Sequence, residues 1–146
     1  MIPETGPYLK AAAICADVIE GKDGVLSLIR IVDRAIIGAA GPDAPEQMPA
    51  VPQQLKLVLM LTSGRARGTQ PARVTLENPL GMVEDIWGGT LFFEGEDRGV
   101  NCIIEMQVAF TMEGLYWFHV RLEDNLLTKL PYRLIYDRAP QALRLR

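Results

Sequence analysis

The stretch GLYWFHVRLEDNLLTKLPYRLIY, residues 114–136, decides the fold of this chain. Apolar side chains recur at every second position in two runs, namely Tyr116, Phe118, Val120 and Leu122, then Leu130, Tyr132, Leu134 and Tyr136. Because side chains alternate between the two faces of a sheet, each run predicts a strand with one buried face. The polar residues Glu123, Asp124 and Asn125 between the runs predict the turn of an antiparallel hairpin.

The same period of two continues upstream. Residues 100–110 (VNCIIEMQVAF) predict a strand whose buried face consists of Cys102, Ile104, Met106, Val108 and Phe110. Residues 55–62 (LKLVLMLT) predict a strand with a second, partly apolar face, which indicates a central position in its sheet. Shorter strands are predicted over residues 72–77 and 90–94, whereas residues 80–89 (LGMVEDIWGG) fit either a helical turn or an irregular edge.

Two further strands are predicted near the N-terminus, over residues 10–19 (KAAAICADVI) and 25–37 (VLSLIRIVDRAII). The intervening EGKDG has two glycines and an aspartate, which favour the positive φ angles of a tight turn. The alternative is a helix over residues 9–19, because three consecutive alanines are strong helix formers. We favour the hairpin.

Residues 38–52 (GAAGPDAPEQMPAVP) predict a loop, because they contain four of the ten prolines and no periodicity. Loops longer than about 12 residues are often functional or mobile. The composition also fits a simple crossover between two sheets, which is the interpretation that we favour.

Together these segments predict an all-β fold, a single antiparallel β-sandwich of seven or eight strands over residues 1–146, immunoglobulin-like or C2-like. The chain has 146 residues and 49% hydrophobic content, enough for one core without a metal or disulfide. Frayed ends are expected over residues 1–8 and 138–146.

Charge and cysteine content limit the function classes. The formal net charge is −3 and the charged residues are interspersed, which argues against a nucleic-acid partner. The absence of an export signal and of a run of about 20 apolar residues argues against membrane association and favours the cytoplasm. Cys15 and Cys102 are therefore expected to be free core thiols, a disulfide between them being the less favoured alternative.

The opening segment ICADVIEGKDGVLSLIRIVDR, residues 14–34, and the closing hairpin together resemble a bacterial family of small β-sandwich domains of uncharacterised function. The resemblance covers most of the chain, with residues 38–52 matched least, and implies the fold but no activity. The closing strands also resemble those of immunoglobulin-like domains, in which a tyrosine such as Tyr116 anchors a corner. The Cys-Trp-Cys spacing of true immunoglobulin domains is missing.

Catalytic chemistry has few candidates. His119, the single histidine, is a conceivable base, but the sequence places no nucleophile beside it, so a half-covered strand histidine is the favoured interpretation. A hydrolytic or ligand-binding site formed only on folding would have to assemble from Asp17, Asp33, Glu84, Asp85 and His119. We expect no enzyme activity and no cofactor.

Metal binding also has weak support. One histidine and two cysteines without CxxC spacing cannot form a typical zinc site. Two acidic turns are weak calcium candidates, should they converge as in C2 domains: Glu94, Glu96 and Asp97 in one, Glu123 and Asp124 in the other. Solvated turn carboxylates are the favoured interpretation.

The outward face of the strand at residues 116–122 is the best candidate for recognition. Trp117, His119 and Arg121 lie there, and aromatic and arginine side chains contribute much of the energy of protein interfaces. Arg65 and Arg67 form a second, weaker candidate. The sequence thus predicts a non-catalytic interaction domain that binds a protein partner or associates with itself through a sheet face or edge, unless the loop at 38–52 covers the Trp117 face.

Overall fold

The computed structural model describes residues 5–39 and 43–138, and this part of the chain forms nine β-strands and no helix. The strands are β1 (Tyr8–Glu20), β2 (Leu26–Ile31), β3 (Arg34–Gly38), β4 (Val51–Thr62), β5 (Arg67–Glu77), β6 (Val83–Glu94), β7 (Gly99–Phe110), β8 (Gly114–Leu122) and β9 (Asn125–Asp137). The all-β prediction is confirmed. The count of seven or eight strands is wrong.

The strands form two sheets that enclose one hydrophobic core. Sheet A has four strands in the order β2-β1-β4-β7, and sheet B has five in the order β3-β9-β8-β5-β6. Inward side chains of both sheets belong to a single buried cluster, which includes Leu57, Leu59 and Ile104 from sheet A and Val74 and Phe118 from sheet B. The arrangement is sandwich-like, since two layers bury their apolar faces against each other.

The closing hairpin forms as the sequence predicts. Strands β8 and β9 pair antiparallel from Gly114 opposite Leu134 to Leu122 opposite Asn125. Glu123 in the two-residue turn has a φ of 53°, and its amide donates a hydrogen bond to the Pro71 carbonyl of β5. The turn is therefore tied to the neighbouring strand of sheet B.

The segment predicted as one strand over residues 25–37 divides in two. It breaks at Val32 and Asp33, so that β2 pairs antiparallel with β1 in sheet A and β3 joins sheet B. Strand β3 runs parallel to β9, with Arg34 opposite Arg133, which corrects the prediction of purely antiparallel pairing. A period-two pattern continues through such a crossover, because both halves keep one apolar side. The helix alternative for residues 9–19 is wrong, since β1 spans them.

The undecided segment at residues 80–89 belongs mostly to β6, which begins at Val83 and pairs with β5 along its length. A β-bulge interrupts the register at Val74 and Thr75, and this explains why no clean alternation is visible in the sequence. Strand β5 also begins earlier than predicted, at Arg67. The strands β5 and β6, on the side of sheet B away from the hairpin, are therefore longer than predicted.

Aromatic side chains of the hairpin and of β7 form a cluster within the core. The Phe110 ring packs edge-on against Tyr116, with centroids 4.8 Å apart, and stacks on Tyr132 at 5.5 Å. The Tyr116 hydroxyl donates a 2.7 Å hydrogen bond to the Met112 carbonyl, four residues upstream. This is the corner contact predicted for Tyr116.

The predicted strand at residues 100–110 is confirmed as β7, with Ile104, Met106, Val108 and Phe110 buried and Cys102 partly buried. Both cysteines are free. Burial raises the pKa of the Cys15 and Cys102 thiols, which disfavours their reactive thiolate form.

The remaining segments are loops and ends. Residues 43–50 form a loop, as predicted, and Met48 within it is buried in the core. Tyr8 begins β1 and does not fray, whereas the expectations for residues 1–4, 40–42 and 139–146 lie outside the described residues. Within the described ranges no helix is long and apolar enough to cross a membrane.

Candidate functional site

The candidate site lies on the outer face of sheet B, the side that points away from the core. Alternation along β8 buries Tyr116, Phe118, Val120 and Leu122. The intervening side chains, Trp117, His119 and Arg121, are partly exposed and therefore point outward, as the sequence predicts. We call this surface, with its neighbours on β5 and β9, the outer face.

His119 has a carboxylate partner that sequence reasoning missed. Strand β5 pairs with β8 so that Thr75 lies opposite His119 and Glu77 opposite Trp117. The His119 Nε2 atom lies 2.9 Å from Glu77 Oε1, with side-chain exposures of 13% for the histidine and 33% for the glutamate. Glu77 lies 42 residues upstream, and no local sequence pattern indicates that two strands so distant in the sequence lie side by side in the sheet.

The His119–Glu77 pair is better suited to holding the surface than to acid–base catalysis. A carboxylate acceptor favours the imidazole tautomer with the proton on Nε2, which leaves Nδ1 as an acceptor. Nδ1 is buried and has no hydrogen-bond partner in the described part of the chain. Thr75, directly across on β5, is only 7% exposed. Little of the ring is therefore exposed beside these strands.

The five residues considered for a hydrolytic site are not brought together. Asp17 lies on β1 in sheet A, where its Oδ1 accepts a 3.0 Å hydrogen bond from Lys56 Nζ. Asp33 lies beside Arg34 at the crossover between the sheets. Glu84 and Asp85 are exposed on β6, with Thr75 of β5 between Asp85 and His119.

Several cations lie on the outer face, and one of them contacts Trp117. The Lys129 Nζ atom, from the residue opposite His119 on β9, lies 4.6 Å from the centroid of a Trp117 ring. At this distance the ammonium and the indole attract each other by a cation–π interaction. Arg73 of β5 lies directly opposite Arg121, so two guanidinium groups project from neighbouring strands.

The described part of the 38–52 loop packs elsewhere. The Tyr136 hydroxyl donates a 2.6 Å hydrogen bond to the Pro45 carbonyl, and Arg138 donates to the Ala44 carbonyl. The loop also lines a cleft with Met112 and Tyr136 at the end of the sheets. These contacts place residues 43–50 beside β9 and the turn that follows β7.

The second sequence candidate, Arg65 and Arg67, lies at the opposite end of the sandwich. Both line an open cleft of about 620 Å³, together with Tyr8, Glu96 and Asp97 among others. The Arg67 guanidinium lies 3.8 Å from Glu96, so one of the two cations already has a carboxylate neighbour. Gly64 in this cleft has a φ of 59°, and a Cβ there would lie only 2.6 Å from the Thr5 carbonyl oxygen. This position therefore requires glycine.

The two acidic turns do not assemble a calcium site. Glu94 and Glu96 lie within 4.0 Å of Arg98, so arginine neutralises part of their charge. In residues 5–39 and 43–138, no group of three or more acidic, histidine or cysteine side chains is placed to hold a metal ion. Glu123 and Asp124 lie in the β8–β9 turn, separate from the turn that carries Glu96 and Asp97.

Comparison with solved structures shows similarity at the level of the fold. The chain is similar to a β-glucosidase from Listeria innocua in complex with glucose, with a TM-score of 0.52, 7% identity, and coverage of 90% of this chain and 17% of that chain. It is also similar to β-glucosidase 3B from Thermotoga neapolitana in complex with glucose (TM-score 0.47, 14% identity, 60% and 15% coverage). The chain thus spans less than a fifth of the length of either enzyme.

A third similar structure is the CARDB domain of a Pyrococcus furiosus protein in complex with di-metal ions, with a TM-score of 0.44 and 10% identity. In this case 92% of this chain and 93% of that chain are covered. A search of the curated proteins finds no match.

A family model described as a family of unknown function, DUF6941, matches residues 11–135, from the first strand to the last. The matched range contains both faces of β8 and the strands that flank it. Because the match covers most of the chain, the protein belongs to this family of unknown function.

Proposed function

We propose that this protein is a non-catalytic interaction domain that binds a protein partner through the outer face of sheet B. One observation carries the proposal: Trp117, half-buried and capped by Lys129, lies opposite Pro131, with Lys129 and Arg133 two residues to either side on β9. This face of the sheet packs against neither the core nor the described part of the 38–52 loop. Aromatic and arginine side chains in such a setting are typical of the energetic centre of an interface.

The arrangement of charged groups supports a binding role more than a reaction. The one histidine is held by Glu77 between two strands, and the acidic residues named above lie on different strands and turns. A rigid strand surface also suits recognition, because its side chains lose less conformational freedom on binding than those of a mobile loop.

We further infer an immunoglobulin-like rather than a C2-like sandwich. The Tyr116 corner supports this assignment, because the hydroxyl bonds back to the chain as in immunoglobulin-like domains. The two unpaired thiols fit a reducing compartment such as the cytoplasm.

Site-specific photo-crosslinking in cells of the source organism tests the proposed surface. A benzophenone amino acid replaces Arg133, which is exposed on the outer face, or Gln107, which is exposed on the outward side of sheet A. We expect a discrete cross-linked protein from position 133 and little from position 107. Equal yields from both positions, or none from either, would contradict the proposal.

The partner could also be a second copy of the chain, and light scattering on the purified protein distinguishes the two. A dimer whose mass falls to that of a monomer in the Trp117→Ala variant would identify self-association. A monomer that still cross-links to another protein would identify a different partner. In either case the outer face of sheet B remains the contact surface.

A further inference from the structure

We propose that the partner of the outer face is an acidic polypeptide segment, which binds in an extended conformation along β8 and β9. This inference rests on the proposed function and adds the chemistry of the partner. The charge on the outer face of sheet B supports it. This face is mainly positive, whereas the net charge of the chain is negative.

Besides Arg67, which lies at the end of β5 beside Glu96, five cations project from the outer face, although the whole chain has a formal net charge of −3. The alternation of buried and exposed residues along each strand assigns them to this side, and they come from four of the five strands of sheet B: Arg34, Arg73, Arg121, Lys129 and Arg133. The strand register places Arg34 and Arg133 level with Leu115, and Lys129 level with His119. Arg73 lies level with Arg121, six residues beyond Leu115 along β8, so the cations follow a stripe about 20 Å long.

Most of the acidic side chains near this patch already have partners. Asp33 is 3.1 Å from Arg34, Asp85 is 3.9 Å from Arg73, and Glu77 is engaged with His119. In the described part of the chain, no carboxylate lies within 4.0 Å of the charged groups of Arg121, Lys129 or Arg133. Three positive charges are therefore available to an incoming anion.

The apposition of Arg73 and Arg121 adds a second argument. The two residues are direct cross-strand partners, and like charges in that position are destabilising. Asp85 offsets only the Arg73 side, across a bridge that is 3.9 Å long. A carboxylate placed between the two guanidinium groups would relieve this repulsion. The repulsion between Arg73 and Arg121 in the free domain therefore favours the binding of an anion.

Spacing favours a polypeptide over a nucleic acid. In an extended polypeptide, successive side chains on one face are about 6.6 Å apart. Lys129 and Arg133 are four residues apart on β9, which is two such intervals, so two acidic side chains of an extended partner could face both cations. Nucleic acid binds through many phosphate contacts or by stacking bases on open aromatic rings. Here one face of the Trp117 ring is capped by Lys129, so the ring is not an open stacking surface for a base.

The test uses fluorescein-labelled decaglutamate as the probe and fluorescence anisotropy as the measurement. The purified domain is compared with the double charge reversal Arg121→Glu/Lys129→Glu. The matched control is Lys10→Glu/Lys22→Glu, which changes the net charge equally at exposed positions of β1 and of the β1–β2 turn. Decaglutamine and a ten-nucleotide single-stranded DNA serve as competing probes.

We expect decaglutamate to bind with an affinity that falls as salt is added, and to bind the Arg121→Glu/Lys129→Glu variant at least about tenfold more weakly. The control variant should lose no more than about twofold, as expected for a screened change in overall charge. Decaglutamine should not bind.

Equal losses in the two variants would overturn the proposal, because net charge alone would then explain binding. Tighter binding of the DNA than of decaglutamate would overturn it in favour of a nucleic acid. If decaglutamate does not bind while position 133 still cross-links to a protein, the acidic class is wrong and the docking face stands. If cross-linking from position 133 also fails, the proposed function fails with it.

Discussion

The two faces of strand β8 differ in what they contribute to the protein. The inner face consists of Tyr116, Phe118, Val120 and Leu122, all at most 5% exposed and packed into the core that both sheets share. The outer face of the same nine residues presents Trp117, His119 and Arg121. Glu77 of β5 holds His119, and Lys129 of β9 lies over Trp117. One strand therefore has one side that specifies the fold and another that is available for recognition.

The difference between the inner and outer faces indicates where function can be sought in a family without a known activity. Inner positions are constrained by packing density, so their identity reports on the core. Outer positions of an antiparallel sheet need only be compatible with water. Contact with water does not require a tryptophan beside unpaired cations. The presence of Trp117 on this face therefore supports a binding role.

The largest expected effect comes from breaking the inner face. Phe118→Ala removes a fully buried ring from the centre of the core, and we expect a loss of about 3–5 kcal/mol in the free energy of unfolding. Urea denaturation followed by circular dichroism measures it. The matched control is Trp117→Ala on the other side of the same strand, expected to cost only about 1 kcal/mol. Similar losses in the two variants would show that the two faces contribute equally to stability.

A smaller effect is expected from the pair that anchors the outer face. Glu77→Ala leaves the His119 ring between strands with neither nitrogen bonded, and we expect a loss of about 1–2 kcal/mol. A double-mutant cycle with His119→Ala should give a coupling energy of about 1 kcal/mol. The exposed Glu84→Ala serves as the control, expected to lie within about 0.5 kcal/mol of the wild type. A coupling energy near zero would remove the structural role of the pair.

The smallest effect concerns the ion pair on the outward side of sheet A. The hydrogen bond from Lys56 lowers the pKa of Asp17, and the same bond raises the pKa of Lys56. The stabilisation from Asp17 is therefore present above its unfolded pKa and is lost as the pH falls through the lower, folded pKa. The contribution of Lys56 is lost only as the pH rises through its raised pKa.

Thermal melting as a function of pH measures this pair. We expect Asp17→Asn to have a shallower acid dependence of the melting temperature than the wild type. Asp124→Asn, a change at an exposed turn carboxylate, should leave the dependence unchanged. An Asp17→Asn curve that parallels the wild type would show that the pair contributes nothing to stability.

Much of the fold could be predicted from the sequence, because alternation survives wherever one face is buried. The closing hairpin and β7 are the clearest cases, and both form as expected. The crossover between β2 and β3 could not be predicted, since residues 25–37 keep an apolar side on both sides of the break at Asp33. The bulge at Ile86 of β6, opposite Val74 and Thr75, likewise hid this strand, because a bulge shifts the period that the prediction relies on.

The candidate site could be predicted only in part. The outward direction of Trp117, His119 and Arg121 follows from the alternation of β8 alone. Their neighbours Glu77 and Arg73 could not be identified, because β5 reaches β8 only through a pairing between strands that are distant in sequence. Sequence patterns report the face on which a residue lies but not the strand that lies beside it.

The most direct test of the account is the cross-linking yield from position 133 in a Trp117→Ala variant that has been shown to remain folded. We expect the yield to fall by at least about tenfold, since a central tryptophan commonly dominates the energy of an interface. A yield equal to that of the wild-type domain would contradict the claim that the outer face of β8 is used for binding.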